Sequence, residues 1–481
     1  MDAQQTPTLE VKALQDAFAA TGAVAVAGQD SSKLAELANQ VPIVRLVDVV
    51  LSEAVGQRAS DIHIETFEHD VLIRYRIDGV CYQIAKPPKS LALAIASRIK
   101  ILSNLDVAET RVPQDGRILM TREDRQIDLR VSTLPTIHGE SIVLRVLDKG
   151  ALNKTLNQLG MEDPTRDAIE RIITRPHGLF LVTGPTGSGK TTSLYACLTT
   201  LNRPEVKIIT TEDPVEYDIA GLVQIAISQK IGLDFSTCLR AILRHDPDIV
   251  MVGEIRDAET AQVAIQAALT GHLVFSTLHT NDAPGAVTRL IDMGVEPFLI
   301  TSTVHAVLAQ RLVRRLCPQC RAPYHPTDEE LAALHLTREH LERSGHQVTE
   351  PAAAEGSIPP PAAGLKGPAL RAALPLAASA GGGTIVHTAM AGQITLMRAA
   401  GCQACQGLGY QGRVGLYELL MMSESVKPLI LKRAAVSEVR EAARAAGMRT
   451  LREDGLGKAL RGETTLEEIL RETQDYDEHT K

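Results

Sequence analysis

The sequence predicts an α/β protein, with a parallel sheet covered on both faces and a smaller α+β domain in front of it. After residue 163, continuous apolar strands alternate with helices, which is typical of a parallel sheet that is covered on both faces. Before residue 150, shorter strands alternate apolar with polar residues, as half-buried strands do. A glycine-rich turn joins the first apolar strand of the larger region to a helix, which supports the α/β assignment.

Composition favours a globular protein of about three domains, at roughly 150 residues per domain. The chain has 481 residues, of which 44% are apolar and 22% are charged. The net charge of −8, the pI of about 6.0 and the scarcity of aromatic residues argue against a nucleic-acid partner. No apolar run approaches the ~18 residues of a membrane span, and the first residues have no signal-peptide pattern. We therefore expect a soluble, cytoplasmic protein that does not bind nucleic acid.

Changes in residue pattern divide the chain into six segments. These are an N-terminal tail (1–40), an α+β domain (41–150), a linker (151–163), an α/β core (164–310), a cysteine-containing module (311–412) and a C-terminal helical domain (413–481). Within the module, residues 351–383 are rich in Ala, Gly and Pro. We expect a disordered insertion there, because such a segment buries too little apolar surface to offset its ordering entropy.

Hydrophobic periodicity predicts the elements outside the core. In the α+β domain, the predicted helices are Val41–Val55 and Ser90–Leu102. The predicted strands there are Asp61–Glu65, Val71–Ile77 (closed by Asp78-Gly79), Arg117–Thr121, Gln126–Val131 and Ser141–Leu147. At the C-terminal end the predicted helices are Val426–Ala446 and Leu466–Thr473.

The strongest motif is Gly184-Pro-Thr-Gly-Ser-Gly-Lys190-Thr191, which fits the P-loop pattern in full. It lies between a predicted strand, Gly178–Thr183, and a predicted helix, Thr192–Leu201. The glycines allow backbone amides to surround phosphate oxygens, the lysine supplies a cation, and the Thr191 hydroxyl is placed to bind Mg²⁺. The sequence therefore predicts ATP-binding positions at Gly184, Pro185, Thr186, Gly187, Ser188, Gly189, Lys190, Thr191 and Thr192.

Charged and titratable residues follow three later strands of the predicted core. Val206–Thr211 ends at Glu212, Ile249–Gly253 ends at Glu254, and Leu273–Leu278 ends at His279. Ligands of open α/β sheets bind beyond the carboxyl ends of the strands, so we expect these three side chains to converge near the P-loop. Carboxylates suit a base or a Mg²⁺ ligand, and a histidine can respond to the terminal phosphate. The alternative is that polar residues simply begin where strands end.

Residues 178–310 resemble the core of the secretion traffic ATPases, which are RecA-like P-loop proteins. Beside the P-loop, the resemblance lies in an acidic box (209–217), an unusual Walker B segment (243–257) with glutamate at position 254, and a histidine box (270–281). It implies that Glu212 is the base, that Glu254 supports Mg²⁺ and water, and that His279, with His272, reports the nucleotide state.

The first domain also resembles a domain of these ATPases, the second N-terminal one. The matching segments are 58–65, 74–79, 111–117, 128–133 and 138–145. The resemblance implies that Arg117 and Arg130 reach the nucleotide as charge-stabilising fingers, a role that suits the permanently charged guanidinium. The alternative for each is an arginine in a structural salt bridge.

Two Cys-x-x-Cys pairs, Cys317/Cys320 and Cys402/Cys405, predict a closed tetrahedral zinc site. A redox role is the rival interpretation. The other three cysteines, Cys81, Cys197 and Cys238, are expected to be small core residues.

The segment 401–418 resembles the tetracysteine region of assembly ATPases, which retraction ATPases of type IV pili lack. Residues 133–149 resemble the type II secretion branch more than the pilus-assembly branch. The resemblance implies a homo-hexameric motor at the cytoplasmic face of the inner membrane, working on a secretion platform and a cytoplasmic docking protein. Only about 40 residues precede the matching region, fewer than the family's first domain. A non-catalytic zinc and nucleotide switch is the alternative from another class.

Overall fold

The structure is a computed structural model that describes residues 36, 38–122, 125–148, 154–327 and 395–473. Most of the expected tail and the expected insertion at 351–383 lie outside the described residues. The strands are β1 (Asp61–Thr66), β2 (Val71–Ile77), β3 (Val80–Ala85), β4 (Gln114–Arg122), β5 (Arg125–Thr136), β6 (Gly139–Asp148), β7 (Gly178–Thr183), β8 (Ile208–Glu212), β9 (Leu222–Ala226), β10 (Ile249–Val252), β11 (Leu273–Leu278), β12 (Val304–Leu316), β13 (Ala322–Tyr324), β14 (Leu396–Arg398) and β15 (Tyr410–Met421).

The described α-helices surround two large sheets. They are α1 (Val41–Gly56), α2 (Ala92–Leu102), α3 (Asp163–Ile173), α4 (Lys190–Leu201), α5 (Phe235–Ile242), α6 (Ala258–Leu269), α7 (Ala283–Asp292), α8 (Pro297–Thr303), α9 (Lys427–Leu431), α10 (Val436–Ala445), α11 (Leu451–Leu460) and α12 (Leu466–Thr473). Among them, no helix is long and apolar enough to cross a membrane.

The first sheet is six-stranded and antiparallel, in the order β3-β2-β1-β6-β5-β4. Alternate residues of its strands are buried, so one face packs against α1 and α2 in a common apolar core. The predicted helices and strands of this domain are all present, with small shifts at their ends. Strand β3 was not predicted. The Asp78-Gly79 pair closes β2 as predicted and forms the two-residue turn of the β2–β3 hairpin, with φ of 49° and 89°, a backbone that Asp-Gly favours.

The second sheet has seven strands in the order β15-β12-β7-β11-β10-β8-β9. Every neighbouring pair is parallel except β12 with β15. Leu179 and Leu181 of β7 pack into the core on one face, and Phe180 and Val182 pack into the core on the other. Because both faces are covered, the strands read as continuous apolar runs, and the predicted α/β class is confirmed.

The expected boundaries at residues 310 and 412 fall inside strands. Strand β12 continues past position 310 to Leu316, and β15 crosses position 412. The two strands pair from Ala306↔Met421 to Leu316↔Tyr410. The cysteine module is therefore inserted between two neighbouring strands of the core sheet. The first part of the expected helical domain belongs to that sheet.

The described C-terminal region contains four helices where the sequence predicted two. The expected helix Val426–Ala446 is divided into α9 and α10 at a turn where Arg433 has a φ of 54°. Helix α11 was not predicted, because its buried face carries Asp454 and Lys458 and the glycines Gly455 and Gly457. These residues hide the apolar periodicity that marks a helix in a sequence.

Candidate nucleotide site

The P-loop begins at the carboxyl end of β7 and leads into α4. Its glycines Gly184, Gly187 and Gly189 have φ of 147°, 81° and 87°, values that strain other residues. A Cβ on Gly184 would lie 2.5 Å from the carbonyl oxygen of Gln310, so space as well as backbone angle requires glycine there. The resulting loop leaves backbone amides and the N-terminus of α4 available for an anion.

The P-loop lysine is buried against its own loop. Lys190 Nζ donates hydrogen bonds to the carbonyl oxygens of Gly184 (2.7 Å) and Pro185 (3.1 Å). Burial lowers its pKa to about 8, the charge of Glu254 opposes this shift, and the charge of Arg311 adds to it. The ammonium is thus poorly compensated in the described site, and a phosphate anion would supply the missing counter-charge.

A buried glutamine holds the P-loop in shape. Gln310 of β12 accepts a hydrogen bond from Ser193 Oγ (2.7 Å) and donates one to the carbonyl oxygen of Ser188 (2.8 Å). Ser188 Oγ is itself buried and has no hydrogen-bond partner in the described structure. An unpaired buried hydroxyl is costly, and a bound phosphate oxygen would pair it. Gln310 was not predicted as a site residue, because nothing in a strand pattern marks which polar residue faces a loop.

Glu254 and His279 meet beside the P-loop, as predicted from their strand ends. His279 Nε2 lies 2.8 Å from Glu254 Oε2, and Arg256 forms a salt bridge with the other oxygen of the same carboxylate. Burial alone would raise the pKa of Glu254, but the hydrogen bonds from Arg256 and His279 hold it below its usual value. Glu254 is therefore ionised at neutral pH and can bind a cation or orient a water molecule.

Glu212, in contrast, bonds to other side chains in the described structure. It is buried at the end of β8, where Tyr195 Oη donates to Oε2, while Thr210 Oγ1 (2.5 Å) and Gln224 Nε2 (3.1 Å) donate to Oε1. Both carboxylate oxygens thus accept hydrogen bonds from side chains of α4, β8 and β9. The base role implied for Glu212 stays a prediction, and it requires these bonds to rearrange first.

His272 lies at the wrong edge of the sheet for the role implied with His279. It precedes Leu273, the first residue of β11, and its Nδ1 is 3.1 Å from the carbonyl oxygen of Ala267. Nucleotide binds at the carboxyl edge, and a six-residue strand separates the two edges by about 20 Å. His272 therefore does not reach a nucleotide bound to the P-loop of the same chain.

Three arginines form a row across the six-stranded sheet. The register places Arg117 of β4 opposite Arg130 of β5, and Arg130 opposite Arg145 of β6. We call Arg117, Arg130 and Arg145 the arginine row. Like charges directly opposite each other are unfavourable, so such a row suits an anionic ligand. Arg145 was not predicted as a site residue, because only the strand register aligns it with the other two.

The arginine row faces the acidic-box loop rather than the P-loop. A cavity of about 880 Å³ lies between the row and residues 214–218. Arg117 is paired with Asp128, and Arg130 donates to the carbonyl oxygen of Val215 (3.3 Å) and lies 3.7 Å from Glu216. No P-loop residue lines this cavity among the residues described. The finger roles of Arg117 and Arg130 stay predictions that require the two domains to move.

The four expected cysteine ligands converge as predicted. The Sγ atoms of Cys317, Cys320, Cys402 and Cys405 all lie within 4.8 Å of one another. Three of the Sγ–Sγ distances are 3.7–3.9 Å, and thiolates at ~2.3 Å from one tetrahedral zinc ion are about 3.8 Å apart. Backbone amides of Cys402 and Gly409 donate to Cys405 Sγ, both at 3.2 Å, which supports a thiolate. The donor set therefore fits zinc.

Comparison with known proteins identifies the family. Residues 36–471 match the family model described as type II/IV secretion system protein. The chain belongs to this family. Its relatives include the type II secretion system protein E of Pseudomonas aeruginosa, 45% identical over 93% of this chain and 78% of that protein. They also include the type IV pilus assembly ATPase PilB of Myxococcus xanthus, 42% identical over 92% and 70%.

The family assignment agrees with the fold and the site. The structure of the Legionella pneumophila ATPase DotB is similar over 88% of this chain and 93% of that one, with a TM-score of 0.58 and 21% identity, which supports the fold. The predicted resemblance and the predicted ATPase core are thus confirmed, and the chain is an ATP hydrolase of the secretion family. The non-catalytic switch considered from the sequence is not supported.

Proposed function

We propose that this chain is the motor ATPase of a bacterial type II secretion system, which hydrolyses ATP to drive pseudopilus assembly and protein export. The observation that carries the proposal is the meeting of Lys190 with the Glu254–His279 pair at one sheet edge. Relatives that bear the name type II secretion system protein E support the biological setting.

In this proposal, the P-loop amides, Lys190 and Ser188 bind the phosphates of ATP. Mg²⁺ would be held by the Thr191 hydroxyl and by Glu254, directly or through water, and would neutralise phosphate charge. Glu254 also orients the attacking water, because its carboxylate is ionised and lies beside the P-loop lysine. His279, bonded to Glu254, senses whether the terminal phosphate is present.

In this proposal, the arginine row contacts the nucleotide only after the two domains close. Closure of the six-stranded domain onto the core would bring Arg117 and Arg130 to the phosphates, and loss of the terminal phosphate would release them. Arginine contacts of this kind accelerate phosphoryl transfer by roughly 10³–10⁵. Repeated closure and release around a homo-hexameric ring would push on an inner-membrane platform through a cytoplasmic docking protein. The motor would thus work at the cytoplasmic face of that membrane.

ATP turnover measured against protein concentration, with light-scattering mass on the same samples, tests this proposal. Turnover per chain is expected to rise as the mass increases from monomer to hexamer, because the arginine row would act in the assembled ring. A constant turnover per chain across that change in mass would contradict the proposed action of the arginine row in the ring. Absence of turnover at every mass would contradict the motor itself.

A pilus-assembly motor is the second candidate, supported by the 42% identity to a pilus assembly ATPase. The two functions share their chemistry and differ in partner. Expression in one host that lacks its secretion motor, and in another that lacks its pilus-assembly motor, separates them. Restored export without restored pili supports secretion, whereas restored pili alone would favour pilus assembly.

We also propose that the four cysteines hold one structural zinc ion. The metal would tie the module to the end of β12, where Cys317 directly follows Leu316. Metal content by mass spectrometry is expected to be about one zinc per chain, as for a closed tetrathiolate site. Cys320→Ser should lose the zinc, and Cys81→Ser, a cysteine of the other domain, should retain it. Equal zinc content in both variants would contradict the site.

A further inference from the structure

A buried arginine lies at the nucleotide edge of the core sheet and has no role in the mechanism above. Arg311 follows Gln310 on β12 and is 4% exposed. Strand β12 pairs with β7 up to Ala309↔Thr183, the last residue before the P-loop. Arg311 therefore lies just beyond the point where the P-loop leaves the sheet, next to the residue that holds that loop in shape.

The side chain of Arg311 points to the loop that carries the histidine box. Its Nη2 donates a hydrogen bond to Asn281 Oδ1 (3.0 Å), two residues after His279. The same loop is fixed to the start of the P-loop, because the amide of Thr280 donates to Thr183 Oγ1 (2.9 Å). The loop that follows His279 thus crosses the start of the P-loop and meets Arg311 on the other side, so the two flank the P-loop.

The other end of the guanidinium has no partner. Arg311 Nη1 is buried and makes no hydrogen bond in the described structure. A buried charged group that lacks a hydrogen-bond acceptor is strongly unfavourable.

The local charge also favours an anion. Lys190 is close enough to Arg311 for the two cations to repel each other, which is one cause of the lowered pKa of Lys190. Glu254, the carboxylate whose charge acts on Lys190, is already bonded to Arg256 and His279. Two buried cations therefore share a site whose described carboxylate is engaged elsewhere, and a polyphosphate would supply the balancing charge.

We propose that Arg311 binds the terminal phosphate of ATP from within the same chain and links its presence to the histidine-box loop. Nη1 would bond to a terminal phosphate oxygen while Nη2 keeps its bond to Asn281. This is a role distinct from that of the arginine row, which needs domain closure. This inference rests on the proposed ATPase site. The added bond from Arg311 would make that site bind ATP more tightly than ADP.

A structural role is the competing explanation, in which Arg311 only anchors Asn281. That role requires one hydrogen bond from Nη2 and leaves the burial of Nη1 unexplained. It also predicts that removal of the guanidinium weakens ATP and ADP binding alike, because a displaced loop would affect both. The two explanations thus differ in whether the effect depends on the third phosphate.

Equilibrium binding of a non-hydrolysable ATP analogue and of ADP, with Mg²⁺, tests the proposal in the full chain. Arg311→Gln is expected to weaken the analogue by about tenfold to a hundredfold, as for one lost charged hydrogen bond. Its effect on ADP should stay below about threefold. Arg315→Gln, an exposed arginine on the same strand, is the matched control and should leave both affinities unchanged.

Arg311→Lys is a second variant for the case that Arg311→Gln does not fold, because it keeps the buried positive charge. Lysine lacks the planar guanidinium that can bridge two acceptors. An intermediate loss confined to the triphosphate supports the proposal. Equal losses for both nucleotides, or none, would overturn it. ATP turnover by the unchanged protein is measured in parallel, so a protein that binds but never hydrolyses ATP contradicts the proposed function and leaves the binding test intact.

Discussion

The nucleotide edge of the core sheet and the arginine row of the first sheet both carry positive charge, but their charges are paired differently. At the nucleotide edge, Lys190 bonds to carbonyl oxygens of its own loop within the described part of the chain, and Ser188 Oγ has no described partner. In the arginine row, Arg117 is paired with Asp128, and Arg145 lies 3.3 Å from Asp61. The first region is prepared for an anion, whereas the second must exchange existing partners. Nucleotide binding should therefore depend on the first region, and turnover on both.

Removal of the P-loop cation gives the largest expected effect. Lys190→Ala should lower ATP turnover by at least about 10²–10³-fold, because it removes a preorganised charge from the transferred phosphate. It should also weaken ATP binding, measured by equilibrium titration. Lys154→Ala, an exposed lysine in the linker, is the control. Normal turnover by Lys190→Ala would refute the assignment of the nucleotide edge.

The two strand-end glutamates give the next largest effect and sharpen the assignment of the base. Glu254→Gln should reduce turnover by about 10²-fold with ATP binding retained, since only the reacting groups change. Glu212→Gln should mainly reduce the free energy of unfolding, by about 1–3 kcal/mol, because it disturbs the bonds from Tyr195, Thr210 and Gln224. Denaturant unfolding and steady-state kinetics on both variants check this. The reverse result would restore Glu212 as the base.

The arginine row should affect turnover more than binding. Arg130→Gln is expected to lower the maximal turnover by more than about tenfold with little change in ATP affinity, because its contacts in the described structure are to Val215 and Glu216 and not to the P-loop. Arg111→Gln, an exposed arginine paired with Glu109 in the same domain, serves as the control. A large loss of affinity in Arg130→Gln would mean that the row already belongs to the binding site.

The regions also differ in how far sequence alone could define them. The nucleotide edge was predictable because the P-loop is a local pattern and because parallel core strands read as apolar runs with polar residues at their ends. Glu254 and His279 were placed together on that basis, and the structure joins them at 2.8 Å. The same argument placed Glu212 with them, but it could not tell which way the last side chain of β8 turns.

Features that depend on strand register or on the burial of charged residues could not be predicted from the sequence. Arg145 joins the arginine row only through the pairing of β5 with β6. Gln310 and Arg311 look like ordinary polar residues of a strand until the P-loop is placed beside them. The pairing of β12 with β15 bridges a long excursion of the chain, so no local pattern showed that residues on both sides of the cysteine module belong to one sheet.

A buried glutamate next to the nucleotide edge provides the smallest expected effect. Glu418 of β15 is 0% exposed and accepts hydrogen bonds from the backbone amides of Ala283 (2.9 Å) and Leu451 (3.4 Å), at the starts of α7 and α11. It thus joins the helix after the histidine box to the C-terminal helices. Burial raises the pKa of Glu418 from its usual 4.5 to about 7.

The sign of the resulting pH dependence follows from this shift. Because the folded chain holds the Glu418 proton more tightly than the unfolded chain, ionisation removes stability as the pH rises from about 4.5 to 7. The contribution is at most about 3 kcal/mol. The free energy of unfolding of Glu418→Gln, measured by denaturant between pH 5 and 8, should therefore fall less with rising pH than that of the unchanged protein. Parallel curves for the two proteins would show that Glu418 does not titrate in this range, and that its link between the nucleotide edge and the C-terminal helices is independent of pH.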